Sequence, residues 1–209
     1  MVLNGQGERI SCETASLTRR QVHLRVVRRE SLAPRPWPVT LIQALPKAKT
    51  FDTIVQKATE LGAARVIPLL SQRVISQIDA ERGVSKLDHW RAIAVESIKQ
   101  CGSPWLPTLE APARLPELLA RLAPASLSLV ASLRPNARHP RRVITPILAK
   151  TSPGPVHVWV GPEGDFTDEE LELLETKGVQ PISFGPLVLR ADTAATYALS
   201  ILNYEIDTR

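Results

Sequence analysis

Val160-Gly161-Pro162-Glu163-Gly164-Asp165-Phe166 and, further on, Phe184-Gly185-Pro186-Leu187-Val188-Leu189-Arg190-Ala191-Asp192-Thr193-Ala194 decide the reading of this chain. Each stretch follows a short apolar run and precedes a helical pattern. Two neighbouring strand–loop–helix units that both open on Gly-Pro suggest two walls of one small-molecule pocket. Glycine lets backbone approach a ligand closely, and free N–H groups at a helix start bind polar ligand atoms. The first loop is not a dinucleotide fingerprint, because the G-x-G-x-x-G spacing is absent, and no Gly-Lys-Ser/Thr follows to make a P-loop. Spacing alone fits equally an ordinary tight turn feeding a capped helix. That helix has a defined start: Thr167 stands at the N-cap with Glu170 three residues on, a capping box, and Gly178 closes it.

Outward from these loops, apolar runs alternate with helical periods. Residues 1 to about 44 read as β. Asn4-Gly5 and Gln6-Gly7 mark turns, and Arg19–Val27 alternates polar and apolar like a half-buried strand. Ser31–Pro38, with three prolines, is a connector, and Val39–Ala44 is a second β run. Phe51, Ile54, Val55, Ala58 and Leu61 share one helix face, which Gly62 ends. Arg65–Leu70 reads as a buried strand. A longer helix spans about Leu87–Cys101 with Trp90, Ile93, Ala94 and Ile98 inward. Strands are expected at Leu127–Leu133, Val156–Val160 and Pro181–Phe184. Helices are expected at about 114–122, 140–150, 168–177 and Asp192–Tyr204. Prolines crowd 135–155 and predict irregular connections there. The β-α alternation predicts an α/β fold with a mostly parallel, helix-covered sheet.

Composition sets the class. The chain has 209 residues, 44% hydrophobic and 22% charged, so a packed core is expected. Lys and Arg number 26 against 21 Asp and Glu, a net charge of +5 that favours an anionic partner such as RNA. Cys12 and Cys101 read as reduced cytosolic thiols. No Cys or His pair has metal-ligand spacing, so no metal is expected. No stretch has the pattern of a secretory signal or the length of a membrane span, so the protein is expected in the cytoplasm.

Arg190 ends an apolar run just before the last helix, where a cation opposes the helix dipole. A ligand accounts for that placement, and so does an ion pair with Asp192 or Glu163. Glu163 is either an acceptor for a ligand or a turn carboxylate. Arg19, Arg20, His23, Arg25, Arg28 and Arg29 on the N-terminal β segment, with Lys47, Lys49 and Lys57 around the first helix, are either a face for RNA phosphates or a solvated surface. His23, His89, His139 and His157 are scattered and read as structural.

Taken together, these segments resemble the RsmE family of 16S rRNA methyltransferases, of the SPOUT class. Besides the two loops, the resemblance rests on Leu45-Pro46-Lys47, Gln56-Lys57-Ala58-Thr59-Glu60-Leu61-Gly62, and Trp90-Arg91 through Glu96 to Gln100-Cys101-Gly102. It implies a SPOUT-type parallel sheet with a C-terminal deep trefoil knot over residues 37–209. A small PUA-like, RNA-binding β-barrel is implied over residues 1–36, partial because the family carries further strands ahead of the segment matched here. It implies methyl transfer from S-adenosylmethionine to N3 of a uridine, position 1498, in 16S rRNA of the small ribosomal subunit, by a homodimer. It assigns the cofactor to Ser132 and Leu133, to Gly161, Pro162, Glu163 and Gly164, and to Phe184, Gly185, Leu187, Leu189 and Thr193. Arg190 would stabilise negative charge on the uracil, with Glu163 or Asp192 accepting the proton. Asp165 stands where the family commonly has glycine, and Ala191-Asp192-Thr193 where it has Thr-Glu-Thr. The alternative is a non-catalytic RNA-binding or ribosome-assembly protein on the same fold.

Overall fold

The computed structural model describes residues 1–47, 50–73 and 80–207. Lys49 lies outside the described residues. Two sheets form. The smaller is antiparallel, in the order β1 (Val2–Leu3), β2 (Glu8–Leu17), β3 (Val22–Ser31). Its first turn is held by Asn4, whose Oδ1 accepts the N–H groups of Gln6 and Glu8 at 2.8 and 3.0 Å. It docks on the rest of the chain through backbone. Gly7 N–H donates to the Pro104 carbonyl, and Leu106 N–H to that of Gly5, both at 2.9 Å. Gly7 lies so close to the Trp105 ring that no side chain fits there.

The alternation around Arg19–Val27 does mark a strand, but not a half-buried one. All of β3 is exposed, including Val22 at 55% and Leu24 at 47%. A bulge leaves Val27 as the extra residue between the Cys12–Val26 and Ser11–Arg28 pairs. Period fixes which residues share a face; only a second layer buries that face, and no described element of this chain lies over it.

The larger sheet begins at β4 (Val39–Ala44). It continues through α1 (Thr50–Glu60), β5 (Arg65–Leu70), α2 (Ala80–Cys101), β6 (Thr108–Leu109), β7 (Ala113–Arg114) and α3 (Leu115–Arg121). The second half holds β8 (Leu127–Ala131), α4 (Pro140–Lys150), β9 (Val156–Val160), α5 (Asp168–Thr176), β10 (Gln180–Ile182) and α6 (Ala191–Asp207). Strand order is β10-β8-β9-β4-β5-β6, with β7 also on β5. Every pairing is parallel. Parallel central strands are covered on both faces and so read as continuous apolar runs; β4 and β9 are buried at every position. One face packs on α1, α2, α4 and α6 through Leu41, Leu129 and Val158 against Ile54, Trp90, Ile144 and Leu199. The other packs on α3 and α5 through Ile42, Val130 and Trp159 against Leu118 and Leu171.

Departures from the sequence reading have local causes. Helix α2 starts at Ala80, ahead of the apolar stripe. Helix α4 accepts Pro140 in its first turn, where no N–H is missed, and carries Pro146 inside it, so the prolines of this region do not all mark irregular chain. Strands β6 and β7 are too short to show a period.

Topology places the site. The chain runs from β8 through α4 to β9, then back past β8 through α5 to β10. The carboxyl ends of β10, β8, β9 and β4 are therefore neighbours at one edge, and a reversal of strand order of this kind is where open α/β sheets hold ligands.

His157 lies at the opposite end of β9, 5% exposed, beside Ser128 and Trp159 on the α3–α5 face. Burial, helped by the positive charge of Arg65, pushes its pKa from 6.5 down to about 4. The folded state thus binds a proton less readily than the unfolded chain. The stability tied to neutral His157 is complete above pH 6.5 and is lost as pH falls towards 4. His157→Gln should lose less stability than the wild type between pH 6.5 and 4.5 in urea unfolding; parallel stability–pH curves would contradict this role.

Candidate functional site

A cavity opens at the shared carboxyl edge. Its first wall is the loop after β9, from Val160 through Gly161, Pro162 and Glu163 to Asp165. The second is the loop after β10, with Phe184, Gly185, Leu187, Val188 and Leu189, leading into Ala191 and Ala194 of α6. The third is Ala131, Ser132 and Leu133 after β8.

Side chains from neighbouring strands fix the first wall. Gln43 is fully buried in β4 and sits beside Val160 in the parallel register. Its amide Nε2 donates to the carbonyls of Ala44, Val160 and Gly161 at 2.9, 3.3 and 3.2 Å. Glu163 Oε1 accepts the Lys47 N–H at 3.0 Å. The Arg73 guanidinium donates to the Gly164 carbonyl. Glu170 joins two segments: Oε2 accepts the Thr167 N–H at 3.0 Å within the capping box, and Oε1 accepts the Gln72 N–H at 2.8 Å. A Cβ on Gly161 would stand 2.9 Å from Asp165 Oδ1 and 3.1 Å from Phe166 N. Asp165 has φ +60°, the left-handed region that favours glycine. Asparagine and aspartate tolerate it when the short side chain bonds locally, and here Asp165 Oδ1 accepts the Phe166 N–H at 2.8 Å. The departure from glycine at this position is thereby accommodated.

The other walls are held as firmly. Ser132 N–H donates to the Ile182 carbonyl at 2.9 Å, and Ser132 Oγ accepts the Arg134 N–H at 3.1 Å. Arg134 then bonds Asp168 at 2.6 Å and reaches Glu175 at 3.5 Å, tying the third wall to α5. The bond to Asp168 raises the Arg134 pKa above its usual value. Gly185 has φ +109°, and Phe184 packs on Tyr197 of α6 with ring centroids 5.1 Å apart. Leu187 and Val188 are 72% and 73% exposed at the mouth.

Of the residues singled out in the sequence, the cavity brings together Ser132, Leu133, Gly161, Pro162, Glu163, Phe184, Gly185, Leu187 and Leu189. Gly164, Arg190, Asp192 and Thr193 flank it without lining it. Arg190 is exposed and makes no side-chain hydrogen bond or ion pair among the described residues, so the pairing with Asp192 or Glu163 that would have explained it does not form. Asp192 Oδ1 accepts the Thr193 N–H at 2.9 Å. Sequence reasoning passed over Gln43, although a lone amide inside an apolar strand was a visible signal. It gave no pocket role to Val188 or Ala194, nor to Asp165, which it noted only as a departure from glycine. Among the described residues no group of His, Cys, Asp and Glu is arranged to hold a metal, and no helix is long and apolar enough to cross a membrane.

Known proteins share this sequence and fold. Residues 33–203 match the RNA methyltransferase domain. The chain is 36% identical to ribosomal RNA small subunit methyltransferase E of Synechocystis sp. over 80% of its length, and 30% identical to that of Mycobacterium bovis over 94%. It spans 54% of the length of the first and 74% of the second. A methyltransferase of Legionella pneumophila, solved with bound cofactor SAM, superposes with a TM-score of 0.85 at 31% identity over 97% of this chain and 81% of that one. The chain belongs to the ribosomal RNA small subunit methyltransferase E family.

Gly161→Ala should destabilise the fold by about 1–3 kcal/mol, because the new methyl displaces the Asp165 carboxylate and the Phe166 amide it binds. Urea unfolding at wild-type stability would show that the turn has room the structure denies it.

Proposed function

We propose that the chain transfers a methyl group from S-adenosylmethionine to N3 of a uridine in 16S rRNA of the small ribosomal subunit, at the position equivalent to 1498. The observation that carries this reading is the cavity joining the loops after β8, β9 and β10. Phe184, Leu187, Leu189 and Leu133 supply apolar walls for a base, and the backbone at Gly161 and Gly185 comes close without side chains between. The donor set fits the cofactor, and the Legionella structure carries SAM on the same fold.

When bound, the cofactor supplies an electrophilic methyl on a sulfonium. The residues of this chain do the rest. Ser132, Leu133, Gly161, Pro162, Glu163, Phe184, Gly185, Leu187 and Leu189, which line the cavity, would hold and orient it, with Gly164 and Thr193 beside them, and positioning of this kind is a large part of rate enhancement. Uracil N3 carries a proton in the neutral base and is hidden by base pairing, so the target nucleotide enters unpaired or extruded. Arg190, whose side chain has no partner among the described residues, stabilises negative charge as the uracil loses that proton. Asp192, beside the cavity, is the freer acceptor, because Thr193 N–H holds Oδ1 and leaves Oδ2. Glu163 already binds Lys47 N–H and serves mainly to fix the loop.

The same reading gives residues 37–209 as the methyltransferase domain, threaded as a deep trefoil knot. The return of the chain past β8 and the packing of α6 on α1, β4 and β9 support it. Residues 1–36 form the PUA-like RNA-binding part, supported by their separate sheet. The protein works in the cytoplasm as a homodimer, and the exposed Leu187 and Val188 at the mouth suit a subunit contact. The non-catalytic alternative gains nothing from a structure in which the cavity is intact.

Arg190→Ala should lower the single-turnover methylation rate by about 100-fold or more, with cofactor affinity by calorimetry close to wild type. An unchanged rate would remove Arg190 from the mechanism.

A further inference from the structure

Leading into α4 and through its first turn the chain reads Arg138-His139-Pro140-Arg141-Arg142, three arginines in five residues with no acid. Arg138 ties this segment to the cavity. It bridges Ile182, its carbonyl accepts the Ser183 N–H at 2.9 Å, and its guanidinium donates to Gln180 Oε1 at 2.8 Å. Phe184, which opens the second wall, is the next residue after Ser183. Arg141 and Arg142 occupy the first turn of α4, which holds no acidic residue. Cations there oppose the helix dipole, so the fold gains nothing electrostatically from them. Both are exposed, and neither side chain has a hydrogen bond or ion pair among the described residues. The carboxylates of Asp168, Glu172 and Glu175 are engaged by Arg134 on α5, across the sheet. Helix α4 shares its face of the sheet with α6; Thr145 donates to Glu205 at 2.9 Å, at the end of α6 away from Arg190. On the N-terminal sheet Arg25 pairs with Glu13 at 2.5 Å and Arg29 with Glu8 at 3.6 Å, while Arg19, Arg20 and Arg28 are exposed and have no side-chain partner among the described residues.

We infer that Arg138–Arg142 is a phosphate-contact surface by which the methyltransferase sheet grips the RNA backbone beside the cavity, separately from the N-terminal sheet. The inference rests on the reading of the substrate as rRNA. Guanidinium forks match phosphate oxygens, and such contacts set position and register while leaving base choice to the cavity.

The test titrates full-length wild type, Arg141→Gln/Arg142→Gln and Arg141→Lys/Arg142→Lys with an unmodified 16S rRNA transcript at several salt concentrations. Methyl transfer and melting temperature are read on the same samples. The glutamine variant should bind about tenfold more weakly near 0.1 M salt, and its slope of log affinity against log salt should shrink by about 1.5. The lysine variant should keep most of the slope. Melting temperature should not fall in the glutamine variant, since removing cations from the positive helix end relieves repulsion. A wild-type slope in the glutamine variant overturns the inference, as does a weaker affinity accompanied by a clear drop in melting temperature. Absence of methyl transfer by the wild type, with the difference in slope intact, would instead sink the enzymatic reading and leave the surface standing.

Discussion

The whole site depends on one backbone constraint: the carbonyl groups at the end of β9 are held from the neighbouring strand by the buried amide of Gln43. A strand that stops inside a protein leaves polar groups that must find partners. Here one side chain from β4 satisfies two of them, and in doing so sets the direction in which Gly161 turns. The turn then closes on itself so tightly that only glycine fits at 161. Lys47, Arg73 and Gln72 each make one further bond to the loop or the helix after it. A first wall built this way is rigid before any ligand arrives, which lowers the ordering cost of binding.

Electrostatics divides the labour around that rigid wall. Arg134 is surrounded by carboxylates and acts as a strut between the third wall and α5. Arg190, Arg141 and Arg142 stand at or near helix starts with no carboxylate partner among the described residues, positions that cost the fold stability. Charges kept where they do not help folding suit an anionic partner. The two kinds of arginine differ in their surroundings and in nothing the residue type reveals.

Much of the fold was legible because parallel central strands have a simple signature. Val39–Ala44, Arg65–Leu70 and Val156–Val160 are found as read, and the Thr167–Glu170 capping box forms as its spacing requires. The N-terminal alternation was also real, but burial is a property of what covers a strand, and β3 has both faces open to solvent. The site divided similarly. Glycine-rich walls are visible in sequence because glycine is placed by backbone need. Gln43 was not found and Asp165 was noted only as a departure from glycine, since their roles come from a strand register and a left-handed turn that one-dimensional spacing does not carry. Arg190 was noticed for its awkward position, and its lack of a partner became visible only in three dimensions.

The central claim is that the cavity between the two Gly-Pro loops takes S-adenosylmethionine. Isothermal titration of the full chain with S-adenosylmethionine, with its demethylated product and with NAD tests it most directly. The account predicts saturable binding of the first two and none of NAD. Heat of binding from NAD alone would contradict it.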